Sequence, residues 1–478
     1  MANPPPCLHR HPRKSELFAT LPPVWPQDLR PRIRRQVRAS GKKLVVLDDD
    51  PTGTQTVYDI PVLTCWEVET LAAELEGDSP AFYLLTNTRG RSAQTARDLN
   101  LEIARNLLDA AAATGRSFDI VSRSDSTLRG HYPIETDALE KAMGPFDATL
   151  LIPYFEAGGR YTIGGVHYVA EGDELVPAAD TPFAADTVFG FKHSALADYV
   201  EEKTAGRIPA ADVFSIELAD LRRHGPDAVR DQLLGLPPGL TGFVNAAAPR
   251  DLEVLVSAVL EAQAAGRHYL FRTAAQFVAA RLGLEPRPLW RPTHPDPGEQ
   301  RAGGLTLVGS HVPKTTTQLQ ELLRLDALAS FELSVPALLD PRTREPHLSQ
   351  VQDQVRRRLA DGRDVVVHTS REWIVAPDAE GSIALSQTVS RSLVALVRGL
   401  ETRPRYLVAK GGITSSDVAT QGLGVRRAIV LGQILPGIPV WELGPETRFP
   451  GLPYVVFPGN VGGPDALREA VTLLRAAG

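Results

Sequence analysis

The chain has 478 residues, a formal net charge of −6, 43% hydrophobic residues and 23% charged residues. These values are typical of a globular protein with two or three domains, and they give no indication of general nucleic-acid binding. The two cysteines have no metal-ligand spacing, and no apolar run approaches the ~18 residues of a membrane helix. We therefore expect a cytoplasmic protein without nucleic-acid or membrane partners.

Residues 1–40 form a segment rich in proline and arginine. It lacks the apolar centre of a secretory signal, and it predicts a mobile tail followed by an arm packed on the surface. A transit peptide is the alternative. Scarce serine disfavours it, as do prolines that interrupt an amphipathic helix.

Apolar runs alternate with helical patterns from residue 41 onward, which predicts an α/β fold. In the first half one long helix is predicted from Gln94 to Thr114, and Gly115 ends it. The predicted strands of this half are Leu44–Leu47, Ala81–Leu85, Phe118–Val121 and Thr149–Ile152.

Residues 286–303 are rich in proline, glycine and charge, and they predict a linker between domains at 41–285 and 304–478. The predicted strands of the second domain are Leu305–Val308, Val365–His368, Tyr406–Ala409, Arg427–Leu431 and Tyr454–Phe457. Its predicted helices are Thr316–Leu325, Thr388–Leu400, Ser415–Leu423 and Pro464–Ala477. The expected architecture is two α/β lobes with largely parallel or mixed sheets and an active-site cleft between them.

Three adjacent aspartates, Asp48, Asp49 and Asp50, follow the first predicted strand. Open α/β sheets bind ligands at the carboxyl ends of their strands. Neighbouring carboxylates repel one another unless a cation or hydrogen bonds stabilise them. One of them could therefore accept a proton from a hydroxyl while another helps to hold Mg²⁺, although a solvated acidic turn is the alternative.

A polar cluster follows the predicted strand Phe118–Val121 and contains Arg123, Asp125, Ser126, Thr127 and Arg129. Arginine can bind a carboxylate through two hydrogen bonds, and the other side chains can bond to hydroxyls. The cluster therefore has the composition expected of a site for a polyhydroxylated acid, although an ordinary capped loop remains the alternative. Arg89 follows another strand and is a weaker candidate.

Glycine-rich turns follow three predicted strands of the second domain, at Gly309–His311, Lys410–Asp417 and Pro458–Pro464. Such turns present free backbone N–H groups, which suits phosphate. Helix capping and plain turns are the alternatives. Neither a Walker P-loop nor a convincing dinucleotide fingerprint is present.

Six segments in this order resemble the four-carbon acid sugar kinases, and the resemblance runs from about Lys14 to the C-terminus. The segments are LDDDPTGTQTV (47–57), SRSDSTLRGHYP (122–133), VGSHVPKTT (308–316), AKGGITSSDVAT (409–420), GQILPGIPVW (432–441) and FPGNVGG (457–463). The resemblance implies an N-terminal domain that binds an acid sugar, a C-terminal domain that binds ATP, and Mg²⁺-assisted phosphoryl transfer.

The same resemblance implies roles for individual residues. Asp49, Asp50 and Asp125 would be catalytic, and the implied substrate contacts are Arg89, Arg123, Ser126, Thr127 and Arg129. The implied nucleotide contacts are Ser310, Gly411, Gly412, Ile413, Thr414, Gly459 and Asn460. No metal ligand is assigned, and a homodimer is compatible with the sequence.

Ile413 replaces an acidic residue that is usual in the family's glycine turn, which is typical of a divergent subgroup. Two alternatives therefore stay open. One is a non-catalytic sensor of sugar acids or nucleotides, and the other is a metal-dependent lyase acting on sugar acids.

Overall fold

The protein is described by a computed structural model that covers residues 11–292, 302–310, 312–371 and 379–476, without the side chains of 379–384 and 386. Its strands are β1 Lys43–Asp48, β2 Pro61–Leu63, β3 Ala81–Leu85, β4 Phe118–Arg123, β5 Ala148–Ile152, β6 Arg160–Ile163, β7 Val166–Glu171, β8 Glu174–Pro177, β9 Phe214–Ile216, β10 Leu240–Val244, β11 Tyr269–Thr273, β12 Leu305–Val308, β13 Leu328–Leu333, β14 Asp364–Thr369, β15 Leu407–Lys410, β16 Arg427–Leu435, β17 Ile438–Leu443 and β18 Pro453–Phe457.

The α-helices are α1 Lys14–Ala19, α2 Arg30–Ser40, α3 Val68–Glu76, α4 Ala93–Thr114, α5 Ile134–Met143, α6 Leu196–Lys203, α7 Gly225–Gly235, α8 Pro249–Ala264, α9 Ala275–Arg281, α10 Pro313–Leu322, α11 Val335–Leu339, α12 Pro341–Ala360, α13 Ala379–Arg398, α14 Gly412–Asp417 and α15 Ala466–Arg475. A 3₁₀ helix, Pro51–Thr56, follows β1, and a π-helical turn, Val418–Gly422, follows α14. None of the described helices is both long and apolar enough to cross a membrane.

The chain divides into two compact units that are discontinuous in sequence. The N-terminal unit contains residues 1–49, 71–80 and 91–285, and the C-terminal unit contains residues 50–70, 81–90 and 286–478. The boundary falls between Asp49 and Asp50, inside the aspartate run. The functional domains predicted at 41–285 and 304–478 stay a prediction.

The N-terminal unit is built on six described parallel strands in the order β9-β10-β5-β11-β4-β1. Strands β1, β4 and β5 are almost entirely buried, as their continuous apolar runs require when helices cover both faces of a parallel sheet. The carboxyl ends of these strands lie at one edge, where the predicted polar motifs begin.

Two further features of this unit were not predicted. Strands β6, β7 and β8 form a small antiparallel sheet whose members are short and joined by tight turns. Helix α2 buries Ile33 and Val37, and Gln36 hydrogen-bonds to Glu261 on α8. The end of the predicted 1–40 arm is therefore an α-helix, whereas residues 1–10 lie outside the described part.

The C-terminal unit carries a mixed sheet of nine described strands in the order β13-β14-β12-β15-β18-β17-β16-β2-β3. The first five are parallel to one another, and β17 and β16 are antiparallel to their neighbours. Its core contains Val308, Val408 and Phe457 from the three central parallel strands, packed with side chains of α15. The predicted α/β class with parallel and mixed sheets is confirmed.

Some predicted bounds were wrong. The helix predicted at Ser415–Leu423 begins at Gly412, and its second half is the π-helical turn. Trp290, inside the predicted linker, donates its backbone N–H to Gln433 and packs against the core of the C-terminal unit. Residues 293–301 of that linker, and His311 of the first glycine turn, lie outside the described residues.

Candidate functional site

The carboxyl ends of β1, β4 and β11 bring three segments of the N-terminal unit together. Asp48 on β1 and Thr273 on β11 are both in register with Arg123 on β4. Because parallel neighbours lie about 4.8 Å apart, the residues that follow them must lie close together. This edge therefore collects Asp49, Ser124 and the loop after β4.

A buried ion-pair group lies at this edge. Arg123 Nη1 donates to Asp48 Oδ1 at 2.8 Å and lies 3.7 Å from Asp49 Oδ1. All three side chains are less than 5% exposed. The guanidinium stabilises two adjacent carboxylates that would otherwise repel each other. In the structure the guanidinium of Arg123 is paired with these two aspartates. A contact between Arg123 and the substrate remains a prediction.

The loop after β4 is held against Asp49. Ser124 Oγ donates to Asp49 Oδ2 at 2.6 Å. Gly130 has a φ of 130°, and a Cβ there would clash with Ser124 Oγ and lie 2.8 Å from Arg272 Nη2. Glycine is therefore required at 130 both for the backbone angle and for the close approach.

Asp125 and Arg129 form the polar centre of the same loop. Arg129 Nε donates to Asp125 Oδ2 at 2.6 Å, and the hydroxyl of Thr127 donates to the same oxygen. The Arg129 guanidinium also lies 5.0 Å from the ring of Phe183, and its Nη1 is 3.8 Å from Asp186. Arg129 is thus oriented from two sides but keeps part of its fork exposed.

A small pocket, called the Arg129 pocket below, adjoins this pair and encloses about 30 Å³. That volume holds about two waters, or one end of a small molecule. The hydroxyl of Thr273 is buried and has no hydrogen-bond partner among the described residues. The lining residues are Ser124, Asp125, Leu128, Arg129, Tyr132, Leu151, Pro153, Tyr199, Arg272 and Thr273.

A buried histidine supports the backbone of the loop. His167 Nε2 lies 2.8 Å from the carbonyl oxygen of Ser126, and its Nδ1 lies 3.0 Å from Thr162 Oγ1. Burial lowers the pKa of His167 to about 4. The imidazole is therefore neutral near pH 7, so Nε2 donates to the carbonyl and Nδ1 accepts from the hydroxyl.

In the C-terminal unit, glycine turns at the ends of β12, β15 and β18 meet. A Cβ at Gly309 would clash with Thr414 Oγ1, one at Gly411 would lie 3.1 Å from Ser310 Cβ, and one at Gly459 would lie 3.6 Å from Ser310 Oγ. Four of the predicted nucleotide contacts, Ser310, Gly411, Thr414 and Gly459, are therefore neighbours. The close approach explains why Gly309 and Gly411 carry no side chain, whereas a Cβ at Gly459 would be in ordinary van der Waals contact.

The other predicted contacts lie at the margin of this group. Ile413 is 49% exposed, so its side chain points away from the crowded centre. The backbone carbonyl of Asn460 accepts a hydrogen bond from Lys314 Nζ at 3.2 Å. Arg371, which was not predicted, donates to the carbonyl of Ser310 at 2.8 Å and adds a second cation.

Lys410 joins two of these turns from below. Its side chain is fully buried, and Nζ donates to the carbonyls of Pro458 at 2.5 Å and Gly459 at 3.1 Å. Burial, aided by the charge of Lys314, lowers the pKa of Lys410 to about 7. Lys410 therefore changes between a charged ammonium and a neutral amine near pH 7, beneath the Gly459 turn.

Asp50 belongs to this unit, unlike Asp49. Its Oδ1 accepts from the backbone N–H of Thr52 at 2.9 Å, which caps the 3₁₀ helix. Its Oδ2 lies 3.6 Å from Arg89 Nη1 and 2.7 Å from the position of a Cβ at Gly412. The structure therefore places Asp50 and Arg89 beside the glycine turns.

The predicted site residues thus fall into two groups. One contains Asp49, Arg123, Asp125, Ser126, Thr127 and Arg129, and the other contains Asp50, Arg89, Ser310, Gly411, Gly412, Ile413, Thr414, Gly459 and Asn460. Arg272 and Thr273 line the Arg129 pocket and were not predicted. The available signal was an arginine and a hydroxyl at the end of an apolar run, FRT at 271–273.

Two family profiles match the chain. One describes a sugar-binding N-terminal domain and matches residues 44–281, and the other describes a nucleotide-binding C-terminal domain and matches residues 305–467. The chain belongs to the four-carbon acid sugar kinase family. The resemblance seen in the sequence is thereby confirmed.

Two relatives of the chain are named as kinases. A D-erythronate kinase from Heliobacterium modesticaldum is 24% identical over 367 residues, which are 74% of this chain and 78% of the relative. A D-threonate kinase from Cupriavidus necator is 26% identical over 355 residues, which are 73% of this chain and 78% of the relative. Kinase activity on a sugar acid is therefore the activity of its named homologues.

Solved structures show the same fold. A Haemophilus influenzae protein superposes with a TM-score of 0.60 and 20% identity over 90% of this chain and all of its own. A protein from Salmonella typhimurium LT2 superposes with a TM-score of 0.62 and 19% identity over 90% of this chain and 98% of its own.

Proposed function

We propose that the protein is an ATP-dependent kinase that phosphorylates a hydroxyl of a small acid sugar, a four-carbon tetronate or oxo-tetronate. The observation that carries the proposal is the meeting of three glycine turns around Ser310 and Thr414 at the ends of parallel strands. Membership of a family with sugar-binding and nucleotide-binding domains supports it. The activity of the two relatives points to the same reaction class.

The acid sugar is proposed to bind at the Arg129 pocket. Arg129 keeps part of its guanidinium exposed, and Thr273 supplies a hydroxyl without a protein partner among the described residues. Arg272 lines the pocket while its Nη1 is paired with Glu135. Guanidinium groups bind carboxylates with two parallel hydrogen bonds. The enclosed 30 Å³ suits one end of the substrate, so the reacting hydroxyl would remain outside it.

The nucleotide phosphates are proposed to lie against the glycine turns. Backbone N–H groups in the turns that contain Gly309, Gly411 and Gly459 are the proposed contacts of the phosphate oxygens. Arg371 and Arg89 would add cationic charge close to the same turns. ATP in this position would have its phosphates stabilised mainly by backbone N–H groups and arginines.

Mg²⁺ in such sites is usually held by one or two carboxylates together with substrate phosphates. No group of three metal-ligating side chains occurs among the described residues, so a site made by protein alone is not indicated. Asp50 lies beside Gly412 and would supply the one carboxylate needed when the ion is held jointly by the protein and the phosphates. Bound there, the ion would neutralise charge on the phosphates.

In phosphoryl transfer the protein mainly positions the reactants and stabilises charge. Asp125 lines the Arg129 pocket and is our proposed acceptor of the hydroxyl proton, because Asp49 is buried and accepts from Ser124. Asp50 remains the candidate on the phosphate side. The predicted cleft between the two domains, which would let the hydroxyl reach the phosphate, is part of the proposal.

The test is an ATP-consumption screen with erythronate, threonate, their 2- and 3-oxo forms and glycerate, with products identified by mass spectrometry. The expected result is ADP together with a phosphorylated acid for at least one four-carbon substrate. Saturable binding of acid and ATP without product would instead identify a sensor. A change in the acid without ATP consumption would identify a lyase.

A further inference from the structure

A second pocket in the N-terminal unit has no role in the proposed reaction. It encloses about 200 Å³, considerably more than the Arg129 pocket. It lies between α5 and the beginnings of β5 and β10. Its lining residues are Tyr132, Pro133, Thr136, Asp137, Glu140, Phe146, Thr149, Arg207, Ile208, Gly239, Leu240 and Thr241. We call it the Thr241 pocket.

Two threonines form its floor. Thr149 on β5 and Thr241 on β10 are directly in register, so their side chains stand side by side on one face of the sheet. They are 8% and 9% exposed. Among the described residues, neither hydroxyl has a hydrogen-bond partner. Neither hydroxyl oxygen is among the fully buried side-chain atoms without a partner, so both open into the pocket, where they can bond to water or to a polar ligand.

The charges around the pocket restrict that occupant. Asp137 and Glu140 carry negative charge, whereas the positive charge of Arg207 is bound to both oxygens of Asp137 at 2.7 and 2.8 Å. An anion, including an acid sugar, would face an excess of carboxylate. Phe146 and Tyr132 provide flat apolar walls of the kind on which the C–H faces of a sugar or polyol can pack.

We propose that the Thr241 pocket is a second ligand site, which binds a small neutral polyhydroxylated molecule such as a sugar or a polyol. The paired hydroxyls of Thr149 and Thr241 bond to neighbouring hydroxyls of the ligand. The Asp137–Arg207 pair lies at the more exposed side, where it can bond to outward-facing hydroxyls.

Tyr132 lines both pockets, and its ring stacks on Tyr199 at 5.8 Å. Thr149 lines the Thr241 pocket, whereas Leu151, two residues further on the same face of β5, lines the Arg129 pocket. A ligand in the Thr241 pocket therefore touches a wall of the Arg129 pocket. A resulting shift in the KM of the acid sugar depends on the proposed kinase function. Binding of a ligand in the Thr241 pocket does not depend on it.

The test is isothermal titration of the full chain, without ATP or acid sugar, using erythritol, xylitol and D-glucose as probes. We expect saturable binding of at least one probe with a Kd of about 1 mM or lower. Polyols also stabilise proteins by being excluded from the surface, but that effect does not saturate. No saturable heat with any of the three probes would overturn the proposal.

Matched variants assign the site. T149V/T241V removes both hydroxyls at nearly constant volume and should weaken binding at least tenfold, whereas T149S/T241S should retain it. Thr472→Val, an exposed threonine of the C-terminal unit, controls for the substitution itself. Unchanged binding in T149V/T241V would overturn the proposal. If that variant does not fold, loss of binding in the single Thr241→Val variant decides, and unchanged binding there overturns the proposal.

Discussion

The carboxylate of Asp50 lies against the α-carbon of Gly412, so that a Cβ at 412 would fall 2.7 Å from Asp50 Oδ2. A residue of the aspartate run is thereby brought to a glycine turn 362 positions later in the chain. Ile413 in that turn carries no charge, and Asp50 supplies a carboxylate beside it.

Gly412→Ala tests this relationship. Because the added methyl group would displace the Asp50 carboxylate, we expect kcat to fall at least tenfold and the KM for ATP to rise, with little loss of stability. Steady-state kinetics and thermal unfolding measure the two effects. Gly235→Ala, where a Cβ has open space, should change neither. Wild-type kinetics in Gly412→Ala would argue against a role for Asp50.

Gly130→Ala tests the loop after β4. The substitution forces a residue with a Cβ into a φ of 130° and against Ser124 and Arg272. We expect a loss of about 1–3 kcal/mol in the free energy of unfolding. Denaturant titration measures it. A loss below about 0.5 kcal/mol would show that the loop adapts easily.

Asp125→Asn separates binding from proton transfer. The amide can still accept a hydrogen bond from Arg129 Nε, so the loop should keep its shape. We expect kcat to fall by about 10²–10⁴ with a smaller change in the KM of the acid sugar. A stopped assay of phosphorylated product measures both values. If kcat is unchanged while the fold is intact, Asp125 is not the proton acceptor.

Lys410→Met tests the buried ammonium through the pH dependence of stability. The pKa of Lys410 is about 7 in the folded state and near 10.5 in the unfolded state, so the unfolded state binds more protons between these values. Lys410 should therefore make stability rise with pH above 7, by at most ~1.4 kcal/mol per pH unit. Above the pKa of the unfolded state, the buried neutral amine costs no stability. As pH falls from there toward 7, the unfolded state takes up a proton that the folded state does not, and stability is progressively lost.

The measurement is chemical denaturation of both proteins between pH 7 and 8.5. This range lies below the ordinary pKa of tyrosine, and the two cysteines are present in both proteins, so their titration cancels in the comparison. The slope of the Lys410→Met protein should be flatter than that of the wild type. Equal slopes would mean that Lys410 keeps an ordinary pKa despite its burial.

Much of the architecture was predictable because its signals are local. The strands Ala81–Leu85 and Leu305–Val308 were predicted at their observed bounds, since a buried parallel strand is a continuous apolar run between turn residues. The helix predicted from Gln94 begins one residue earlier, because Ser92 caps it. The small sheet β6–β8 was missed because its strands are short and have mixed polarity.

The sequence by itself determined the family, the α/β class and the polar motifs that follow each strand, because these depend on residues close together in the chain. Only the tertiary structure decided the partners of those motifs. In it Arg123 is paired with Asp48, Arg272 and Thr273 lie beside Arg129, and Asp49 and Asp50 belong to different compact units. The physical reason is that neighbours in a parallel sheet are joined through long crossovers, so sequence distance does not report which strand ends meet.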